Sequence, residues 1–262
     1  MTRPSMTVVV GRLYLGLVLV FLYAPIAVMA AMSFNQSEFY SLPFHFTLDW
    51  YHRLLGNETI LHAAWRSLWI AVLTTILASS IGTMAAIALF RYDFWGKRLL
   101  QAMLFPPIAI PWLIIGTAML VFFFWVGIGR GAPAVLVGHV ALALPYVVVV
   151  VGARLKTFDI QLEEAARSLG ANPWQVTFSV TLPWIASGVV AGALFAFAVS
   201  FDQFVVSYFL AQPGDATLPV VIYTSIRKGF TPEINAISTI IIAISMATML
   251  LASRYFKFGG EQ

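Results

Sequence analysis

Eleven carboxylates, four histidines and no cysteine are what this chain can offer for acid–base, metal or thiol chemistry. Their spacing withholds most of it. A membrane metalloprotease needs something like His-Glu-x-x-His, and an intramembrane aspartyl enzyme needs two carboxylates inside apolar segments. The chain has neither, because Asp202 is the one acidic residue inside an apolar stretch. A Gly-rich loop ending in Lys-Ser/Thr, which would cradle the phosphates of a nucleotide, is also absent from the sequence. His139, with Pro145 in the same apolar run, reads as a packing or hydrogen-bonding histidine rather than a ligand. What remains is the chemistry of contact, concentrated in residues 159–183. Asp159 can cap a helix start, and Glu163 and Glu164 put negative charge in its first turns. Ala165 and Ala166 give a small, flat face. Gly170 suits the left-handed position that ends a helix. Asn172, Pro173 and Gln175 then restart one, as N-cap, first helical residue and capping-box partner. The pattern predicts helix, tight turn, helix, with Val180, Leu182 and Pro183 closing the unit.

The elements around this hairpin are of a different character. The chain is 60% hydrophobic and 10% charged, with a mean hydropathy of +0.88, where soluble domains carry about 25% charged residues. Six apolar stretches reach the ~20 residues that span a bilayer: 13–32, 68–90, 99–128, 134–151, 184–210 and 234–255. Continuous apolar runs without period-two alternation favour helices over a barrel. The expected fold is therefore all-α and polytopic, one domain over 1–262 with a bundle core of about 60–256 and the polar hairpin at 157–183. The first stretch is longer than a signal-peptide core and reads as an uncleaved anchor.

Charge sets the orientation. Arg3, Arg12, Arg91, Lys97, Arg98, Arg154, Lys156, Arg167, Arg254 and Lys257 fall on one side of the six spans, and Arg53, Arg66, Arg130, Arg227 and Lys228 on the other. Ten against five places both termini and the hairpin in the cytosol. A net charge of +4 is a topology signal here, not a nucleic-acid surface.

The hairpin residues have a further order: Glu164-Ala165-Ala166, three residues, Gly170, nine residues, Val180, one residue, Leu182-Pro183. This resembles the EAA loop of binding-protein-dependent ABC importer permeases, which usually has Ile where this chain has Val180. The resemblance extends over about 12–256 and is greatest to the second permease subunit of the spermidine/putrescine type. It is carried by Leu89-Phe90-Arg91-Tyr92, by 142–149 and 154–156, by Ser200-Phe201-Asp202-Gln203 and the four residues after it, and by 217–220 and 229–236. The resemblance implies six transmembrane helices of the MetI-like ABC permease type in a bacterial inner membrane. It implies transport of a small cationic solute such as a polyamine, with an opine, amino-acid derivative, thiamine or iron as alternatives and a stand-alone secondary transporter as the competing class. Glu163, Glu164, Ala165, Ala166, Gly170, Leu182 and Pro183 would then couple the bundle to an ATPase. Implied partners are a second permease subunit in a heterodimer, two copies of a cytosolic ATP-binding subunit, and a periplasmic or lipid-anchored substrate-binding protein. ATP and Mg would be bound by the ATPase subunits, and no cofactor by this chain.

A solute pathway is expected from Pro107, Pro111, Trp112, Tyr146, Asp202 and Tyr208. Pro106, Pro107 and Pro111 should kink or break the third span in its first third, either freeing carbonyls to line a cavity or serving packing alone. The chain has Ile108, Ala109 and Ile110 where polyamine permeases often carry an acid after these prolines. Asp202 lies about 28 Å beyond Pro183 at 1.5 Å per residue, toward the outer end of the fifth span. It could attract a cation or pair across a subunit interface, or be an interfacial carboxylate satisfied by Ser200, Gln203 or water. Trp112 could stack on a cation or face lipid, and 122–125 reads as an aromatic belt. Residues 34–66 are expected as a polar loop. Residues 212–232, with a short helix from about Leu218 to Arg227 and Thr231-Pro232 opening the sixth span, are expected as the second outer connector. Both could dock a substrate-binding protein.

Overall fold

The computed structural model describes residues 6–38, 41–229 and 232–257; Arg3, Phe230 and Thr231 lie outside them. The chain divides into two compact units, 1–61 with 222–262, and 62–221.

In the first unit, α1 (Met6–Met32) is apolar all round and almost uniformly exposed where its side chains are described, as a helix surrounded by lipid would be. The segment after it is more ordered than a polar loop. Trp50 donates from its indole to the Asn35 carbonyl at 2.7 Å, Tyr51 and Ser33 share a hydroxyl bond of 2.7 Å, and Phe34 stacks on Phe46 and Tyr51. A short helix, α2 (Asp49–Gly56), follows. The next helix, α3 (Glu58–Arg91), begins ten residues before the apolar stretch that announces it. Its 34 residues give it a length of about 51 Å.

The second unit continues with α4 (Lys97–Leu104), α5 (Pro106–Ala109), α6 (Trp112–Trp125) and α7 (Ala132–Lys156). Then come α8 (Gln161–Ser168), α9 (Pro173–Val176), α10 (Leu182–Phe201) and α11 (Val205–Leu210). The chain returns to the first unit through α12 (Leu218–Lys228) and α13 (Glu233–Lys257), and α13 packs on α1 and α2. Among the described residues, four helical segments are long and apolar enough to cross a bilayer: 10–32, α3, α7 and the rod from Pro173 to Phe201. The third expected span is a bent pair, 97–109 and 112–125, meeting at 117°. Ile110 is extended (φ −79°, ψ 134°), as a residue before proline prefers, so of the kink or break expected from the prolines the structure has a break, at Pro111. Over the sixth, α13 has 25 residues, of which Glu233–Ala247 form the apolar part with described side chains.

α7 is the centre of the second unit. Ala143, Val147, Val148, Val151 and Leu155 pack against Ala78, Ala86 and Leu89 of α3 and Ile185 and Ala196 of α10. Toward the opposite end, Val135 and Leu142 meet Ile70, Phe123, Val206 and Leu210. Backbones approach closely because glycines face Val147 from both sides. A Cβ on Gly82 of α3 would lie 2.8 Å from Val147, and one on Gly192 of α10 3.3 Å from it. Small residues at such crossings are the usual means of helix packing in lipid.

The fifth expected span is not one helix. α10 ends at Phe201, Asp202 is its C-cap (φ −89°, ψ 2°), and α11 starts at Val205. No proline or glycine causes this break. Instead the buried Gln203 side chain accepts the backbone N–H of Val205 at 3.1 Å and of Val206 at 3.4 Å, an internal cap that competes with helix continuation.

Candidate functional site

The hairpin is built from local hydrogen bonds. Asp159 Oδ1 accepts the N–H of Gln161 at 2.9 Å. Asn172 and Gln175 form a reciprocal capping box of 2.9 and 2.8 Å. Gly170 sits at φ +90° with nothing near its absent Cβ, so it is the backbone conformation, not space, that calls for glycine there. α9 does not stop at Val176. It widens into a π-turn, Thr177–Thr181, and runs on into α10. Pro183 has no N–H to donate and would crowd the carbonyl four residues back; the wider turn just ahead of it takes up the slack. The second arm of the hairpin and the fifth span are thus one 29-residue rod.

Its outer face is apolar for a polar-looking segment. Ile160, Leu162, Leu169, Trp174 and Phe178 are exposed, and Leu169 is 90% exposed. Ala166, Leu169, Gly170, Gln175, Ser179 and Val180 line an open hollow of about 400 Å³. Exposed apolar surface rimmed by polar groups marks a contact site. Glu164 and Ala165 are exposed and Ala166 half-buried. Leu182 turns inward onto the α7 core, and Pro183 is exposed in the first turn of α10.

Glu163 faces the other way. Its side chain is 12% exposed and paired with the guanidinium of Arg91, the last residue of α3. The same oxygen accepts from Thr181 Oγ at 2.6 Å, and Oε2 lies 3.7 Å from Arg167. Burial pushes this carboxyl up, but the hydrogen bonds from Thr181 and Arg91 and the charges of Arg91 and Arg167 outweigh it, leaving it below its ordinary value. The Arg91 guanidinium also lies 4.7 Å over the Phe158 ring, which meets Trp184 edge-on at 5.7 Å.

At the opposite end of α7, Arg66 of α3 donates to the carbonyls of Gly214 (2.9 Å) and Ala216 (3.3 Å) and pairs with Asp215 at 3.0 Å. Ser67 accepts the N–H of Leu218. Arg130 reaches the Ala211 carbonyl while Gln212 returns a bond to the Arg130 carbonyl at 2.7 Å. Beside these, Leu120, Arg130, Tyr208, Phe209 and Gln212 line a cavity of about 440 Å³. Of the expected pathway residues, Tyr208 lines it; Pro107, Pro111, Trp112, Tyr146 and Asp202 do not. Tyr146 stacks on Phe195 at 5.0 Å between α7 and α10. Trp112 opens α6 with Pro111 as its N-cap, and Pro107 lies in α5. Asp202 is exposed at a helix end rather than inside a span, a correction that follows from the Gln203 break.

His139 was legible as a hydrogen-bonding group, but its role was not. It is 1% exposed and bridges Ser200 of α10 (Nδ1, 2.9 Å) and Ser207 of α11 (Nε2, 2.9 Å) across the break. A neutral imidazole donates at one nitrogen and accepts at the other, which suits two hydroxyls. The seven-residue spacing of the serines, two helical turns, was the available signal. Arg66 and Arg130 were legible only as topology charges, and Arg91 only as such a charge and as part of the family resemblance.

The hairpin therefore presents an apolar outer face, and its second arm is continuous with an apolar rod. The sequence profile of the family described as binding-protein-dependent transport system inner membrane component matches residues 78–258. The chain belongs to this family. It is 38% identical over 249 residues to the spermidine/putrescine transport system permease protein PotC of Escherichia coli (strain K12), covering 94% of each. In fold it is similar to a chain of a bacterial ABC transporter that imports alginate, with a TM-score of 0.77 at 16% identity over 98% of this chain and 100% of that one. It is also similar to a chain of the MetNI methionine ABC transporter, with a TM-score of 0.63 at 19% identity over 75% and 94%. The permease is accordingly an all-α, multi-pass inner-membrane protein of MetI-like fold, and its implied partners are an ATPase and a binding protein.

Proposed function

We propose that this permease forms half of the pathway of an ATP-driven importer for polyamines, and that its hairpin is the docking element for the ATP-binding subunit. The observation that carries the docking role is the outward-facing apolar surface around Leu169 and Gly170, beside the start of the rod that runs from Pro173 unbroken into α10. The substrate class rests on the 38% identity to a spermidine/putrescine permease over nearly the whole chain. In this reading Glu164, Ala165, Ala166 and Gly170 lie against the ATP-binding subunit, and Leu182 and Pro183 carry its movement into the bundle. The termini and the hairpin are cytosolic, by the ten-to-five excess of basic residues. A second, different permease subunit completes the pathway, two ATP-binding subunits hold ATP and Mg, and the segments 34–66 and 212–232 meet the binding protein. In this reading Tyr208, which lines the cavity beside Arg130 and Gln212, and Asp202 belong to the solute's entry, and Trp112, Tyr146, Pro107 and Pro111 to the path beyond it.

The test is uptake of labelled spermidine and putrescine by proteoliposomes holding the complete transporter and its binding protein. Import that needs both ATP and the binding protein is expected. Polyamine uptake by this chain alone, or without ATP, would refute the reading.

A further inference from the structure

We propose that Arg91 and Glu163 form a strut between the hairpin and the end of α3, so that motion of the hairpin is delivered to two spans, α3 and α10. This rests on the reading of the hairpin as the docking element. Of two adjacent carboxylates, Glu164 is exposed and Glu163 is turned inward, toward Arg91 and Thr181. The inward carboxylate gathers three elements at one point: Arg91 from α3, Thr181 from the π-turn, and α8 itself. Phe158, in the α7–α8 link, closes the fourth side under the guanidinium. Lys156 adds a weaker contact over the Phe90 ring at 5.5 Å.

Two features make this a strut rather than an incidental surface pair. Arg91 and Glu163 are 13% and 12% exposed, and a charge left unpartnered in such a place is costly, so the pair resists opening. Arg91 is also the terminal residue of a helix whose hydrogen-bonded backbone continues unbroken for 34 residues. A displacement at its end therefore travels along its axis. The rod through Thr181 supplies the parallel route into α10. With one route only, the hairpin would pull α10 away from α3; with both, the two helices flanking α7 move together. Arg91 is a positioning residue in this scheme, acting through Glu163.

The experiment uses the complete reconstituted transporter and reads import, ATP hydrolysis and retention of the ATP-binding subunit together. Arg91→Gln is expected to retain the ATP-binding subunit and its hydrolysis while import per ATP falls about fivefold or more, the scale of a typical coupling energy. Glu163→Gln, which keeps the side-chain shape, should lose less. The exchange Arg91→Glu with Glu163→Arg should restore a large part of the ratio, which a loss of general stability would not allow. As the chain has no cysteine, Arg91→Cys with Glu163→Cys can be joined by a short, reducible thiol-specific linker. The linked protein should import, and cleaving the linker should lower import per ATP. Wild-type coupling in Arg91→Gln, or failure of the linked protein to import, overturns the strut. The underlying reading fails separately, if Leu169→Glu leaves the ATP-binding subunit bound.

Discussion

At the scale of single residues, a few buried polar groups of this permease tie one helix to another. His139 is the sharpest case. Replacing it with leucine strands two buried hydroxyls, at about 1–3 kcal/mol each, whereas removing Ser200 and Ser207 as well leaves nothing unpaired. His139→Leu is therefore expected to melt at a lower temperature in detergent than the triple variant His139→Leu/Ser200→Ala/Ser207→Ala, although the triple variant carries more changes. The reverse order would show that the bracket does not hold the break together. Glu163 gives a prediction in pH. Despite its burial, its carboxyl is held below its ordinary value of 4.5 by Thr181 and Arg91, so its bonds stabilise the packing of the hairpin against the end of α3 fully above that value and are lost as pH falls through the depressed one. Amide exchange in α8 should show unchanged protection of its opening equilibrium from pH 7 to 5, and the excess over Glu163→Gln should vanish only below pH ~4.5.

At the scale of elements, glycine has two separate uses. Gly82→Ala forces a Cβ against the branched carbon of Val147, an overpacking cost of about 1–3 kcal/mol, and should lower the melting temperature of the complex with its coupling intact. Gly170→Ile meets open space and costs only backbone strain, about 1–2 kcal/mol for a left-handed position. That strain falls in an exposed turn, away from the α7 core, so this variant should reduce substrate-stimulated ATP hydrolysis, which Gly82→Ala should not. If Gly82→Ala also uncoupled hydrolysis from substrate, or Gly170→Ile left the coupling intact, the division between packing and turn would be wrong. The same contrast explains what could be read in the sequence. The hairpin was legible in detail because its caps act over two or three residues: Asp159 on Gln161, Asn172 on Gln175, Gly170 on its own φ. Pro111 advertised the break in the third span. The break after Phe201 went unread because it is made by Gln203, an ordinary residue for a helix, and by His139, 61 residues from Ser200. The inward turn of Glu163 depends on Arg91, 72 residues away, and no periodicity carries information over that distance.

At the scale of the whole molecule, direction matters more than affinity, because an importer is defined by which side its driven element occupies. The distribution of basic residues argues for a cytosolic hairpin, and the geometry makes this testable with two positions. Leu169 is at the hairpin tip and Pro213 at the opposite end of the second unit, both exposed. The absence of cysteine means that Leu169→Cys and Pro213→Cys each create a single thiol without removing any other. A membrane-impermeant maleimide should label Pro213→Cys in intact spheroplasts and Leu169→Cys only after the membrane is opened. Docking of the ATP-binding subunit should then protect Leu169→Cys, and the binding protein should slow labelling of Pro213→Cys. Labelling of both positions from one side would contradict a bundle spanning between them. Labelling in the opposite order would place the hairpin where no cytosolic ATPase could reach it, and would remove the docking role along with the orientation.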